Sequence, residues 1–404
     1  MFAKMRKPYS IFLVATFICA SLAASVTLVK LFHSQHLQDL LVYQTAAQDI
    51  KHGLDPYVSL QNNYVYPPSS FFILIPLMFL PINLGTLVWS AASVLALLGA
   101  IWFFLKVMKS GNVWQKSLIY LILALLAFPT KFNLGMGQIN TFVLVLMVIS
   151  LWACHYQKTG WSGIWLGQAA AIKIFPLFFM ILFVIKKRWQ DAINCISIFF
   201  ILNLLPTFFL GTKILNSFYT DKFLTLGGLT NADYYNQALS GLLSRLGRST
   251  MTNLILATGF SLICLFFAWK SRMKRTIAQE WCLGICLWLM FQNVSWQHYF
   301  VFITIPLVFL AEAYFSQKQN LPKILLLVIY LTVAINIRGA PQFGLLNPFI
   351  YSHLFVATVV IYFLLLKNDW SVCKPSVKHL TRAEVISGKP SISSKFALDK
   401  ANKS

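Results

Sequence analysis

Residues 84–106 read LGTLVWSAASVLALLGAIWFFLK, and Lys106 is the only charged residue among them. A stretch of about 20 apolar residues is long enough to cross a bilayer as a helix. Comparable segments recur along the chain, whose 404 residues are 58% hydrophobic and 11% charged. Soluble proteins carry about 25% charged residues. No alternating strand pattern is visible, so the sequence predicts an all-α integral membrane protein, a polytopic helical bundle.

The number of membrane spans depends on how the shorter apolar segments are interpreted. Besides 84–106, such segments lie at about 9–31, 69–81, 117–131, 138–156, 161–185, 190–211, 251–269, 277–292, 298–316, 322–337 and 348–366. The first could be a cleaved signal sequence, but its length favours a retained helix. Several are too short to span alone, and broken or re-entrant helices need protein around them. We expect 11–13 spans in a membrane domain covering 1–370, followed by a polar, basic, disordered cytoplasmic tail at 371–404.

The net charge of +22 comes from short basic clusters between apolar segments. This distribution is the positive-inside pattern of membrane proteins, and it argues against a nucleic-acid partner. It places the N-terminus, the loops at 186–188 and 270–275 and the tail in the cytoplasm. The polar stretches 32–68 and 212–250 and the loops 292–298 and 337–347 then lie on the opposite face. The direction of the short segments between 69 and 185 stays open.

Three of the eleven acidic residues, Asp39, Asp49 and Asp55, fall in the first polar stretch. Periodicity predicts a helix over 39–51, which Gly53 ends. Asp39 near its start is either a cap for the backbone N–H groups or a catalytic carboxylate. Asp49 reads as a solvated helix residue, and Asp55 before a proline as part of a turn.

Five further polar motifs interrupt the apolar pattern, and each has a structural and a functional interpretation. Tyr64–Pro68 is a rigid junction or a binding loop, and the segment Asn133–Asn140 is a helix-breaking turn or a source of amides for a polar cavity. A lysine within an apolar segment, Lys173, costs about 2.5–3.5 kcal/mol on insertion scales, so it either reaches the surface or binds an anion. Residues 235–245 form an interfacial helix or a binding loop. Residues 295–299 form an aromatic anchor or carry a histidine that binds phosphate or transfers protons.

Taken in order, these motifs resemble glycosyltransferase family 87, the polyprenyl-phosphate-mannose-dependent mannosyltransferases, over roughly 35–345. The resemblance implies the GT-C fold, with a large first extracytoplasmic loop that carries the catalytic aspartate, here Asp39. It also implies substrate contacts from Tyr43, Tyr57, Tyr66, Gln138, Asn140, Lys173, Asn236, Arg245, Trp296 and His298. One position departs from the family pattern, because Ala238 stands where a serine often follows Asn-Gln.

By the same resemblance, the protein moves a hexose, with mannose the first expectation, from a polyprenyl-phosphate sugar to an envelope glycolipid or glycan. Asp39 is the general base, the configuration inverts, and no metal or cofactor is required. We expect a multi-pass protein of the bacterial inner membrane with its site on the extracytoplasmic face. A transporter or flippase of a lipid-linked saccharide is the main alternative, and a polymerase or ligase using lipid pyrophosphate is another. The aspartates in a long loop and the lack of a visible repeat favour the transferase.

Overall fold

The computed structural model describes residues 20–27, 29, 37–59, 64–223, 233–247, 250–270, 275–317, 319–337 and 344–366. These residues form helices joined by short loops, which confirms the predicted all-α membrane fold. The basic N-terminus and the predicted tail at 371–404 lie outside the described residues.

The longer helices of the described residues have nine or more residues each. In chain order they are α1 Gln38–Lys51, α2 Ile82–Val107, α3 Val113–Leu126, α4 Phe128–Met136, α5 Asn140–His155, α6 Trp161–Ile172, α7 Trp189–Leu204, α8 Thr250–Lys270, α9 Ile277–Phe291, α10 Thr304–Phe315, α11 Leu321–Ala334 and α12 His353–Leu365. Shorter helical turns lie at Pro56–Ser59, Pro68–Ser70, Phe71–Leu74, Ile75–Met78, Phe175–Phe179, Met180–Ile185, Thr207–Leu210, Lys213–Asn216, Ser217–Lys222, Leu239–Arg245, Gln297–Ile303, Gly344–Leu346 and Asn347–Ile350.

Prolines and glycines set many of these boundaries. Pro129 and Pro322 stand in the first turns of α4 and α11, where a missing N–H does no harm. Gly53 follows the end of α1 with a φ of +73°, as the sequence predicted. The apolar segment 161–185 is interrupted, because α6 ends at Ile172 and a 3₁₀ turn begins at Phe175.

Four stretches of the described residues are long and apolar enough to cross a membrane: Ile82–Val107, Trp189–Leu210, Met251–Lys270 and Gln297–Phe315. The pair α3 and α4, bent by 79°, makes a fifth if it is one broken span. The remaining apolar helices are 10–17 residues long. The predicted count of 11–13 spans includes such short helices and stays a prediction. The stretch 297–315 is central, because 78% of an 18-residue apolar part of it is buried inside the protein. The corresponding share for 251–270 is only 6%.

Helices α6 and α7 pack closely because α6 presents small residues to its neighbour. A Cβ added at Gly163 would lie 2.0 Å from the carbonyl oxygen of Asp191, and one at Gly167 would lie 2.6 Å from that of Cys195. Small residues allow this backbone approach, a common device between membrane helices. Because α6 is held against α7, the residue that follows α6, Lys173, has a fixed position.

The described parts of the predicted outer loops meet at one end of the bundle. Contacts that join them include Ser217 to Asp55, Asn236 to Trp296, and Tyr234 to Ile337, and Gln138 contacts Asp39 at the same end. From that end, α2 runs 26 residues, about 39 Å at 1.5 Å per residue, to Lys106. The directions of the segments between 69 and 185 follow: the turns at 137–139 and 173–175 lie at the loop end, and those at 108–112 and 156–160 lie at the far end.

Ion pairs collect at the far end. They join Lys116 to Glu312 at 2.7 Å, Lys186 to Glu280 at 2.7 Å, and Arg188 to Asp191 at 2.6 Å. The loop at 186–188, which the charge pattern assigns to the cytoplasm, is therefore at the opposite end from Asp39. Which end faces the cytoplasm stays a prediction.

Candidate active site

Helix α1 presents Asp39 from its first turn, but not as a cap. The residue before the helix is Leu37, whose side chain makes no capping hydrogen bond, and among the described residues Asp39 bonds to no backbone N–H of the helix. Instead, the Asp39 Oδ2 atom accepts a hydrogen bond of 2.5 Å from the amide nitrogen of Gln138. The capping alternative for Asp39 is thus wrong, because the carboxylate is engaged across the fold with a residue 99 positions away.

Gln138 reaches Asp39 because of how α4 ends. Gly137 adopts a φ of +73°, and its N–H donates to the Leu134 carbonyl at 3.0 Å, while the Gln138 N–H donates to the Asn133 carbonyl at 3.0 Å. This pair of bonds is the Schellman ending, which favours glycine at the left-handed position. A Cβ at Gly137 would lie 2.6 Å from the Cβ of Leu40 on α1. The turn therefore brings the end of α4 against the helix that carries Asp39.

Tyrosines fix the orientation of the Gln138 amide. The Tyr66 hydroxyl donates to Gln138 Oε1 at 3.0 Å and accepts from the Tyr43 hydroxyl at 2.7 Å. The Tyr57 hydroxyl donates to the main-chain oxygen of Tyr66 at 2.6 Å. Because the oxygen of the Gln138 amide faces Tyr66, its NH₂ group faces Asp39. Four predicted substrate residues, Tyr43, Tyr57, Tyr66 and Gln138, thus form one hydrogen-bonded group around the predicted catalytic carboxylate.

Lys173 lies on the other side of Tyr66. It has an extended backbone at the break after α6, and its ammonium donates to Asn140 Oδ1 at 2.7 Å. The Nζ atom is 3.9 Å from the ring centre of Tyr299 and 5.4 Å from that of Tyr66. Contact with an aromatic face partly compensates a cation that has lost water. The lysine therefore contacts residues of the site, and it is also partly exposed, so its predicted role as a substrate contact stays a prediction.

The electrostatics leave Asp39 suited to accept a proton. Burial raises the pKa of the Asp39 carboxyl above its usual value, whereas the bond from Gln138 and the positive charge of Lys173 both lower it. Burial has the largest effect. Within the described part of the chain, no hydrogen bond reaches the second carboxylate oxygen, Oδ1. The hydrogen-bonding capacity of that oxygen is therefore unused by these residues.

His298 adjoins this group through its neighbours. Its ring lies 4.6 Å from that of Tyr299 and 5.9 Å from that of Phe132, measured between ring centres. Its carbonyl oxygen is 3.4 Å from the Nδ2 atom of Asn140. The imidazole is buried, with 8% of the residue exposed, so it adjoins the site from the inside of the bundle.

A second group consists of Asn236, Arg245 and Trp296, which bond to one another and to neighbouring backbone groups. The Asn236 side-chain oxygen accepts the backbone N–H groups of Ala238 and Ser295, each at 3.1 Å. Arg245 donates to the main-chain oxygen of Asn236 at 2.9 Å, and Trp296 pairs with Asn236 as an isolated β-bridge. These bonds hold the turn at 233–247 against the loop that leads to His298. The predicted substrate role of the three residues stays a prediction.

The other two aspartates stabilise the same loop. Asp49 accepts a hydrogen bond of 2.6 Å from Ser59. Asp55 accepts the Tyr57 N–H at 2.9 Å, which forms the predicted turn, and the Ser217 hydroxyl at 2.6 Å. Within the described ranges, no group of three His, Cys, Asp or Glu side chains is placed to hold a metal ion.

Two residues of this site were missing from the predicted substrate contacts, Tyr299 and Asn133. Tyr299 supplies the ring beneath the Lys173 ammonium, and Asn133 accepts a bond of 2.9 Å from Asn140. Both lie inside motifs that the sequence picks out, directly after His298 and seven positions before Asn140. The sequence could have indicated both residues, because each has a polar or aromatic side chain inside a motif that contains a predicted substrate contact.

Comparison with known proteins identifies the family. The model of glycosyltransferase family 87 matches residues 64–293. The match begins after Asp39 and ends before His298, so the predicted roles of these two residues lie outside the matched part of the chain.

Two curated relatives are similar to the chain over most of its length. A polyprenol-phosphate-mannose-dependent alpha-(1-2)-phosphatidylinositol pentamannoside mannosyltransferase of Mycobacterium tuberculosis (strain CDC 1551 / Oshkosh) is 24% identical over 68% of this chain and 66% of its own. Its counterpart in Mycolicibacterium smegmatis is 24% identical over 61% of this chain and 60% of its own. The chain thus spans slightly less than two thirds of the length of these relatives. Because the family model covers more than half of the sequence, the chain belongs to glycosyltransferase family 87.

Proposed function

We propose that the protein transfers mannose from a polyprenyl-phosphate mannose to a glycolipid or glycan acceptor at the extracytoplasmic face of the membrane. Membership of the family and the activities of its relatives support the donor class. The observation that carries the proposal is the placement of Asp39. One of its oxygens accepts a hydrogen bond from Gln138, the other accepts none from the described residues, and Lys173 lies nearby.

In the proposed reaction, an acceptor hydroxyl attacks the anomeric carbon of the donor sugar. A bond forms between the hydroxyl oxygen and this carbon, and the bond from the carbon to the phosphate oxygen breaks. The Oδ1 atom of Asp39 takes the hydroxyl proton, and the configuration inverts because attack and departure are on opposite sides. General-base assistance of this kind contributes about 10²- to 10⁴-fold.

The departing polyprenyl phosphate gains negative charge, and Lys173 is placed to stabilise it. Its ammonium is fixed by Asn140 and by the ring of Tyr299, so little reorganisation is needed as charge develops. His298, one residue from Tyr299, supplies a further polar group on the same side.

The distribution of charge supports the proposed membrane face. The basic loop at 186–188 lies at the far end of the bundle, and such loops face the cytoplasm. The Asp39 end then faces outward, where a lipid-linked sugar can enter from the bilayer. A nucleotide sugar would not be expected on that side.

The test is a donor comparison with purified protein in lipid nanodiscs. Radiolabelled polyprenyl-phosphate mannose and GDP-mannose are each incubated with a phosphatidylinositol mannoside acceptor, and labelled product lipid is counted. We expect transfer from the lipid-linked donor alone. Transfer from GDP-mannose, or movement of the lipid-linked sugar across the bilayer without transfer, would contradict the proposal.

A further inference from the structure

Asn133 is hydrogen-bonded to two residues of the site: Gln138, which binds Asp39, and Asn140, which binds Lys173. It lies in α4 and is completely buried. Its main-chain oxygen accepts the Gln138 N–H at 3.0 Å, and its side-chain Oδ1 accepts the Asn140 Nδ2 at 2.9 Å. Asn133 therefore connects Gln138, which binds Asp39, to Asn140, which binds Lys173.

The second of these bonds determines which way the Asn140 amide points. A carboxamide has an acceptor end and a donor end, and here the acceptor end receives the Lys173 ammonium at 2.7 Å. If the amide turned over, its NH₂ group would face the ammonium and the bond would be lost. The donor end is held by Asn133 at 2.9 Å and more weakly by the His298 carbonyl at 3.4 Å.

Only the oxygen end of the Asn133 carboxamide has a hydrogen-bond partner among the described residues. The Nδ2 atom of Asn133 is buried and makes no hydrogen bond within the described part of the chain. A buried donor without a partner is unfavourable, and a leucine of similar size would bury no such group. What the asparagine supplies, and leucine would not, is the oxygen that faces Asn140.

We propose that Asn133 is a positioning residue that orients Asn140 and, through it, the ammonium of Lys173. The identity of the anion that Lys173 meets rests on the proposed function. The orientation of Lys173 does not, so the two can be tested separately.

The kinetic test is a double-mutant cycle. Asn133→Leu is expected to lower kcat/KM for the lipid-linked donor by about three- to tenfold, the range expected for one hydrogen bond. In an Asn140→Leu background, the same substitution should have no further effect, because the residue through which it acts is gone. Equal loss in both backgrounds would overturn the proposal. If Asn133→Leu does not fold, Asn133→Ala completes the same cycle.

The second test needs no catalysis. Lysines of the protein in nanodiscs, without donor, are labelled with trace acetic anhydride and quantified by peptide mass spectrometry. Asn133→Leu should raise the labelling of Lys173 about three- to tenfold relative to Lys116 at the far end of the bundle. Unchanged labelling would overturn the proposal. Wild-type protein that transfers no sugar would refute the proposed function and leave this result standing.

Discussion

Replacing Gly137 by alanine should damage both the stability and the activity of the protein. An L-residue in the left-handed region, where Gly137 has a φ of +73°, costs about 1–2 kcal/mol. The added Cβ would also lie 2.6 Å from the Cβ of Leu40 and 3.0 Å from that of Leu37. Neither of these atoms can rotate aside, because each is attached directly to the backbone. Overpacking of this kind costs a further 1–3 kcal/mol or so, which gives a loss of about 2–5 kcal/mol.

The effect on activity follows from the same contact. Carbon atoms in contact are normally about 3.5–4.0 Å apart, so α1 must move by about 1 Å to accept the methyl group. A misplacement of about 1 Å can lower a rate by about 10²-fold. Because Asp39 lies on α1, between the two leucines that are pushed, we expect the transfer rate to fall by about tenfold to a hundredfold.

Gly135→Ala is the matched control. Gly135 lies two positions earlier, within α4, and nothing approaches its added Cβ within 4 Å. Alanine is about 1 kcal/mol better than glycine inside a helix, so this variant should be as stable as wild type or more so. Thermal unfolding in detergent and transfer from polyprenyl-phosphate mannose measure both effects. Equal behaviour of the two variants would refute the claim that the Gly137 turn places Asp39.

Two further predictions concern the bonds around Gln138. Tyr66→Phe removes the donor that fixes the Gln138 amide and leaves a buried acceptor unpaired, so it should reduce stability by about 1–3 kcal/mol and also lower kcat. Tyr64→Phe is the control, because it loses a 2.6 Å bond to a serine but no bond to Gln138, so it should reduce stability and leave kcat unchanged. An equal kcat for the Tyr66 and Tyr64 variants would contradict the role given to Tyr66. Because burial raises the pKa of Asp39, the acidic limb of the kcat/KM profile should lie at higher pH than the ordinary pKa of an aspartate would give. Gln138→Leu removes a bond that lowers this pKa, so the limb should move to higher pH, and a limb that moves to lower pH would count against Asp39 as the base.

Local patterns in the sequence were enough to predict several elements. The helix that carries Asp39 begins at Gln38 and ends at Lys51, within one residue of its predicted start, because its periodicity and Gly53 are local signals. The charge of Lys173 within an apolar segment marked it as a candidate residue, but the end of α6 at Ile172 was not predicted. The family resemblance, carried by the order of the motifs, is confirmed by the family match.

Other features depend on contacts that no local pattern encodes. Gln138 and Asp39 are 99 positions apart, and only the left-handed turn at Gly137 brings them together. Whether a polar side chain meets substrate or backbone is also not visible in the sequence. Arg245 donates to two main-chain oxygens and to the Ser352 hydroxyl, a partner 107 positions away.

The most direct test of the account is the turnover of Asp39→Asn beside Asp49→Asn. Both substitutions remove one negative charge from α1 and preserve the shape of the side chain, but only Asp39 faces Gln138. With saturating polyprenyl-phosphate mannose, Asp39→Asn should lose about 10²- to 10⁴-fold in turnover, the usual contribution of a general base, while Asp49→Asn stays close to wild type. A folded Asp39→Asn protein that retains wild-type turnover would contradict the assignment of Asp39 as the catalytic base.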